Sequence, residues 1–197
     1  DVPPALLDDD AFVGDLLARC PAAYQYVSER LRATRAWAIA AVSSASFNNL
    51  QHVPDELRRD PDLLRVALAG HSQAYLYVPD DLKADPELIA LAVETSEGDS
   101  MVLESLPDQY RGDREIALKM VSQDGYGFQH LSDELRDDKE VLLAALSKFM
   151  RAVETASPRL RADPEIVQLV ASSPDCGYAY QYLDNEARNV ASIVVQA

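Results

Sequence analysis

The side chains of this sequence that could carry out acid–base, nucleophilic or metal chemistry are three histidines, two cysteines and 33 aspartates and glutamates. Catalysis and metal binding need such groups in recognisable sets, such as a nucleophile beside its base or paired metal-ligating cysteines. Cys20 and Cys176 lie far apart and have no companion at ligand spacing. No nucleophile–base set is recognisable, and Gly125-Tyr126-Gly127 is more typical of a bend between helices than of a phosphate-binding loop. The sequence therefore predicts no catalytic residue, no metal, no cofactor and no enzymatic activity.

The elements that position these side chains follow an internal repeat. The phrase Leu-Lys-Ala-Asp-Pro-Glu-Leu at residues 82–88 returns as Leu-Arg-Arg-Asp-Pro-Asp-Leu at 57–63 and as Leu-Arg-Ala-Asp-Pro-Glu-Ile at 160–166. Weaker copies extend the series in both directions at intervals of roughly 25 residues. We call the position of the aspartate, or of the residue that replaces it, the cap position. The cap positions lie near 9, 34, 60, 85, 113, 138, 163 and 190.

Each cap position is followed by the pattern of a helix. Aspartate at a helix N-cap accepts a hydrogen bond from a first-turn backbone amide that has no partner within the helix. Proline suits the next position because it lacks an N–H that would be unpaired there, and the acidic residue after it faces the positive end of the helix dipole. Apolar residues then recur three, seven and eight positions after the cap, which places them on one helix face.

A second, shorter element follows in each repeat. Its apolar position holds Tyr24, Leu50, Tyr75, Leu103, Phe128, Val153 and Tyr180. Ser or Pro a few residues later favours the start of another short helix, so each repeat is predicted to be a longer helix, a bend and a shorter helix. Because such repeats bury their apolar faces only by stacking, we predict an all-α fold. Its form is an α-solenoid (superhelical array) of about seven to eight repeats, in a single domain over residues 1–197.

Two stretches give the repeat a family resemblance. They read Asp-Lys-Glu-Val-Leu-Leu-Ala-Ala at 138–145 and Ala-Ser-Pro-Arg-Leu-Arg-Ala-Asp at 156–163. Together they resemble the tandem α-helical repeats of domain of unknown function 4116. The resemblance implies an all-helical array and brings no activity with it. The repeat is also similar, more weakly, to the leucine-rich repeat variant family, whose amino-terminal cysteine cluster for an iron–sulfur centre is absent here.

One position of the repeat carries tyrosine or histidine along much of the chain. It lies two residues after the apolar position of the second element and holds Tyr26, His52, Tyr77, His130 and Tyr182. Aromatic side chains are favoured in protein interfaces, so these five residues are predicted to form part of a partner-binding face. The alternative is a structural role, in which their polar tips bond to the turn of the next repeat.

The net charge limits the class of partner, and the cysteines indicate the compartment. The formal net charge of −15 repels phosphate backbones and anionic lipid, which disfavours nucleic-acid and membrane-surface binding. A protein or peptide partner, including a basic one, is compatible with that charge. The two cysteines are expected to be buried free thiols in a reducing compartment. We therefore predict a cytoplasmic protein, or one in a host cytosol if the chain belongs to a secreted effector.

Three functions are compatible with these features. The first is a non-catalytic protein–protein interaction scaffold, because solenoids offer long binding surfaces. The second is an accessory repeat module of a larger protein whose activity lies outside this segment, which the missing initiator Met motivates. The third is a hydrolase or transferase with its site in a groove of the array. The abundant carboxylates motivate it, but most of them are accounted for as helix caps and first-turn charges.

Overall fold

A computed structural model describes residues 2–43, 47–173 and 176–184 of the chain. Helices are the only regular secondary structure in this part, which confirms the all-α fold. The chain divides into two compact units, Asp1–Ser96 and Glu97–Ala197. Stacking of all repeats into one solenoid domain remains a prediction.

A helix begins directly after each cap position that the described ranges contain. These long helices are Asp10–Arg19, Arg35–Val42, Pro61–Gly70, Pro86–Thr95, Arg114–Val121, Lys139–Leu146 and Pro164–Ser172. Every aspartate at these cap positions accepts backbone hydrogen bonds with its side chain, as Asp138 Oδ1 does from the N–H groups of Glu140 and Val141 at 2.9 and 3.2 Å. Thr34 precedes its helix without such a bond. The cap position near 190 lies outside the described residues.

The predicted bend is itself helical, which corrects the prediction. Six-residue 3₁₀ helices take its place at Pro21–Tyr26, Phe47–His52, Ser72–Tyr77, Gly125–His130 and Met150–Thr155. The equivalent stretches are the α-helix Ser100–Ser105 and the pair Cys176–Ala179 and Tyr180–Tyr182. We call all of these the short segments. In two of the 3₁₀ helices the first and fourth residues are buried, as Ser72 and Tyr75 are, which matches the three-residue turn of a 3₁₀ helix.

A third helical piece leads from most short segments to the next cap position. These pieces are Glu29–Arg32, Leu57–Arg59, Asp108–Arg111, Asp133–Arg136 and Pro158–Arg161, and Leu6–Asp8 precedes the first cap position. Serine caps several of them, as Ser157 does where its Oγ accepts from the Leu160 N–H at 3.2 Å. This third piece is the short helix that the sequence predicts at the end of each repeat, and it is about one turn long.

The core of each unit lies between the long helices and the short segments. The residue four positions after the cap is buried in all seven long helices of the described ranges: Val13, Ala38, Leu64, Ile89, Ala117, Leu142 and Val167. The predicted position three after the cap is only half-buried at Phe12, Trp37 and Ile116. The same position is buried in the other four long helices, as at Leu63 and Val141, so the apolar face lies where the sequence predicts it and is widened by the fourth position.

Backbone hydrogen bonds join successive repeats within a unit at one fixed place. The N–H of Ser28 donates to the carbonyl of Leu7 at 2.9 Å, and Ser157 donates to Arg136 at 3.1 Å. In both pairs the acceptor lies two residues before a cap position. Pro54 stands at the serine position of another repeat and has no N–H to donate.

A buried tyrosine supplies the missing donor. The Tyr24 hydroxyl donates to the carbonyl of Arg32 at 2.8 Å, and Arg32 lies two residues before a cap position, as Leu7 does. Tyr75 makes the same bond to the carbonyl of Lys83 at 2.5 Å. Both tyrosine side chains are fully buried. Because a buried carbonyl without a donor costs free energy, the hydroxyl explains why tyrosine occupies these core positions.

This arrangement predicts a loss of stability at alkaline pH. Burial raises the pKa of Tyr24 to about 12, above its ordinary value of 10, so the folded chain keeps the proton at a pH where the unfolded chain releases it. The stabilisation is complete below pH 10 and is lost as the pH rises to about 12, by up to about 3 kcal/mol. Urea denaturation of wild type and Tyr24→Phe at pH 9 and pH 11.5 measures it. The stability advantage of wild type should shrink at pH 11.5, whereas exposed Tyr26→Phe should track wild type at both pH values.

Ion pairs connect consecutive cap positions within a unit. Arg114, directly after one cap position, lies 2.8 Å from Asp138 at the next and also pairs with Glu140. The same arrangement joins Arg35 to Asp60 and Asp62, and Lys139 to Asp163 and Glu165. The hydrogen bond from Arg114 keeps the pKa of Asp138 below its usual range. These ion pairs join the starts of neighbouring long helices.

Candidate functional site

The five residues predicted to bind a partner all lie at the carboxyl ends of short segments. Tyr26 is 66% exposed, whereas the other four are half-buried: His52, Tyr77, His130 and Tyr182. Tyr26, His52 and Tyr77 belong to the first unit, and His130 and Tyr182 belong to the second. In the second unit His130 contacts Tyr126, and Tyr182 contacts Tyr178. Binding of a partner by these five residues remains a prediction.

A different position of the repeat carries three of the four exposed large apolar or aromatic side chains among the described residues of the second unit. It lies two residues before the apolar position and holds Met101, Tyr126, Arg151 and Tyr178, which we call the exposed stripe. Met101, Tyr126 and Tyr178 are 50%, 49% and 57% exposed, although all three are large and apolar or aromatic. Arg151 is exposed as well. Four exposed side chains at one position of successive repeats form a pattern that core packing does not require.

Tyr126 is held in place by the backbone around it. Asp124 accepts a hydrogen bond from the Tyr126 N–H at 3.0 Å, and Gly125 and Gly127 on either side are buried. The Tyr126 ring makes edge contacts with Phe149 and with His130, at centroid distances of 5.6 and 6.5 Å. The ring is thus fixed at its edges while about half of its surface faces solvent.

Arg151 and Tyr178 continue the stripe as a stacked pair. The Arg151 guanidinium lies 4.7 Å from the centre of the Tyr178 ring, within the range of a cation–π interaction. Its Nε also donates to Glu154 Oε2 at 2.6 Å, and this hydrogen bond lowers the pKa of Glu154. Tyr182 tilts against Tyr178 at 6.0 Å, and burial, followed by a hydrogen bond with Tyr178, raises the pKa of Tyr182.

A shallow groove of about 180 Å³ opens beside the stripe. It is lined by Tyr126, Gln129, Phe149, Arg151, Ala152, Glu154 and Thr155. Two aromatic rings, one ion pair and one amide can stack on, pair with or hydrogen bond a ligand.

The sequence predicted two residues beside the groove, His130 and Tyr182. It did not predict Tyr126, Arg151 and Tyr178 as binding residues, because the short segments that carry them were predicted to be bends. A search for side chains spaced three residues apart, the period of a 3₁₀ helix, would have paired Arg151 with Glu154, which lie above one another across one turn. Four-residue spacing then brings Tyr126 next to His130 and Tyr178 next to Tyr182.

The histidine, cysteine and acidic side chains are the candidates for metal or nucleophilic chemistry outside the groove. In the ranges 2–43, 47–173 and 176–184, no three His, Cys, Asp or Glu side chains converge in a way that could hold a metal ion. Burial, followed by the charge of Arg32, lowers the pKa of His52, whose Nε2 lies 3.2 Å from the amide nitrogen of Gln51. Cys20 is exposed and free at the end of the first long helix. The prediction that it is buried is therefore wrong, because the helix ends before it can turn this side chain into the core.

One family model matches part of the chain. The family model described as Domain of unknown function (DUF4116) matches residues 113–161. The predicted resemblance is confirmed for this segment. The DUF4116 segment runs from the cap at Asp113 to Arg161 and contains Tyr126, Arg151 and the groove between them. No curated protein and no solved structure matches the chain.

Proposed function

We propose that this protein is a non-catalytic interaction scaffold that binds a protein or peptide through the exposed stripe of its second unit. The observation that carries the proposal is the recurrence of exposed Met, Tyr, Arg and Tyr at one repeat position, Met101, Tyr126, Arg151 and Tyr178. Tyrosine and arginine are enriched among the residues that dominate binding energy in protein interfaces, and methionine is enriched in interfaces generally.

The geometry of the stripe supports this proposal. Tyr126 and Tyr178 are already oriented by ring contacts and Arg151 by its ion pair, so binding orders few further side chains. Preorganisation of this kind lowers the entropy cost of association. A scaffold of this design works equally alone or as the accessory module of a larger protein.

The proposal extends to the class of partner and the compartment. The net charge of −15 favours a protein or peptide, including a basic one, over nucleic acid or anionic lipid. No helix among the described residues combines the length and the apolar character needed to cross a bilayer. We place the protein in the cytoplasm, or in a host cytosol if it belongs to a secreted effector.

Selection of peptides from a random display library tests the proposal on the full chain. Peptides that bind wild type should bind Tyr126→Ala and Tyr178→Ala at least about tenfold more weakly, because each variant removes an aromatic contact at the centre of the surface. Fluorescence polarisation of the selected peptides, labelled with a dye, measures the change.

Leu169→Ala is the matched control, because Leu169 is an exposed apolar side chain of the same unit that lies outside the stripe. Its affinity should stay at the wild-type value, and circular dichroism should show all three variants folded. Peptides that bind Tyr126→Ala, Tyr178→Ala and wild type equally would remove the stripe as the binding surface. Failure to select any peptide would count against the scaffold itself.

A further inference from the structure

We infer that the groove beside the exposed stripe takes one uncharged aromatic side chain, a phenylalanine or a tyrosine, of a partner peptide. The inference rests on the proposed function and specifies how the partner is anchored. It is drawn from the bonds that the polar side chains of the groove already make, from the two aromatic rings that line it and from its volume.

The two charged side chains of the groove are already paired with each other. Arg151 Nε donates to Glu154 Oε2 at 2.6 Å, and the Arg151 guanidinium also stacks on the Tyr178 ring. The two charges therefore cancel within the groove lining. A charged ligand group would have to break this ion pair or enter the groove without a counter-ion, and either event costs free energy. An uncharged ligand group leaves the pair intact.

An amide and a hydroxyl of the groove also have partners within the chain. Gln129 Nε2 lies 3.3 Å from Nε2 of His130, and Thr155 Oγ1 donates to the carbonyl of Ala152 at 3.4 Å. Because both side chains are already engaged, neither Gln129 nor Thr155 requires a polar group from the ligand. The lining thus favours a ligand side chain that binds through its apolar surface.

Two aromatic rings supply the apolar surface of the groove. Tyr126 and Phe149 meet at a centroid distance of 5.6 Å with their planes 65° apart, and both line the groove. Tyr126 is 49% exposed and Phe149 is half-buried, so each ring keeps part of its surface accessible. A further ring that packs on such a pair gains an attraction beyond the burial of its area. An aromatic ligand side chain is therefore favoured over an aliphatic one.

The volume of the groove matches a single ring. The groove encloses about 180 Å³, and Ala152, which contributes only a methyl group to the lining, leaves this space open. A cavity of about 150 Å³ is large enough to hold a benzene molecule. One phenyl or phenol ring therefore fits, whereas two rings do not.

Capped amino acids test this inference on the full chain. The probe is N-acetyl-phenylalanine methylamide, compared with its tyrosine, leucine, arginine and glutamate analogues, and the shifts of the Tyr126 and Ala152 backbone amide signals in NMR spectra of isotope-labelled protein measure binding. The phenylalanine and tyrosine probes should give saturable shifts. The leucine probe should bind about three- to tenfold more weakly because it lacks the ring–ring attraction, and the arginine and glutamate probes should not bind.

Two variants locate the binding. Tyr126→Ala removes one of the two rings and should weaken binding of the phenylalanine probe at least about fivefold, read from the Ala152 signal. Leu169→Ala is the matched control, since Leu169 is an exposed apolar side chain outside the groove, and it should bind the probe as wild type does.

Each outcome decides between the inference and the function beneath it. Arginine or glutamate probes that bind as tightly as phenylalanine would overturn the uncharged anchor, and equal binding of leucine would overturn the aromatic one. A wild-type chain that sediments as a dimer, and as a monomer once Tyr126 is replaced by Ala, would make a second copy the occupant. If no probe binds but library peptides still bind in a Tyr126-dependent way, the inference fails and the proposed function stands. If neither binds, both fail.

Discussion

Replacing Gly125 with Ala is expected to lower the free energy of unfolding by about 3 kcal/mol, because no space exists for a β-carbon. A Cβ at this position would lie 2.2 Å from the carbonyl oxygen of Ala145 and 2.9 Å from Cβ of Phe149. The Ala145 carbonyl accepts hydrogen bonds from the N–H groups of Lys148 and Phe149, at 3.0 and 2.8 Å. The long helix cannot move that oxygen without weakening its own carboxyl end. Urea denaturation followed by circular dichroism measures the loss.

Gly70→Ala is the matched control for this substitution. Gly70 ends a long helix, and the nearest atom to its added Cβ is a carbonyl oxygen 3.7 Å away, an ordinary contact. Alanine favours helix over glycine, so stability should be unchanged or rise by up to about 1 kcal/mol. A Gly125→Ala variant as stable as Gly70→Ala would contradict the close approach of the two repeats. Since Tyr126 and Phe149 flank this contact, Gly125→Ala should also weaken peptide binding.

Replacing Phe128 with Ala is expected to cost about 3–5 kcal/mol of unfolding free energy, the largest effect expected in this protein. Phe128 is fully buried at the apolar position of its short segment. Its removal leaves a cavity beneath the short segment that carries Tyr126. The surrounding helices are held by caps and ion pairs and can close the cavity only in part. Thermal and urea denaturation of the variant give the magnitude.

Two further substitutions are controls for the stability loss expected of Phe128→Ala. Phe128→Leu keeps most of the volume and should cost less than about 1.5 kcal/mol, while exposed Leu169→Ala should stay within about 0.5 kcal/mol of wild type. A Phe128→Ala variant that loses less than about 1 kcal/mol would show that the short segment is not part of the cooperative core. In that case the exposed stripe would rest on a loosely attached segment.

The start of the long helices could be predicted from local residues alone. Asp60, Asp85 and Asp163, each followed by proline and an acidic residue, all cap their helices with side-chain hydrogen bonds. Such caps are local, because the residue that accepts the bond and the amides that donate it lie within three positions of each other. The buried apolar position of the short segments could also be predicted, since Tyr24 and Phe128 follow their cap positions at the same separation in the sequence.

Packing between repeats fixes the conformation of the short segments and selects which of their side chains face solvent. A six-residue stretch such as Gly125–His130 has no strong local preference for a 3₁₀ helix, and packing between neighbouring repeats selects it. That choice turns Tyr126 outward and Phe128 inward, although both are aromatic and stand two residues apart. The hydroxyl of Tyr24 gains its role only when the fold brings the carbonyl of Arg32, eight residues along the chain, within 2.8 Å. Exposure and pairing depend on contacts between residues about 25 positions apart, which local patterns do not encode.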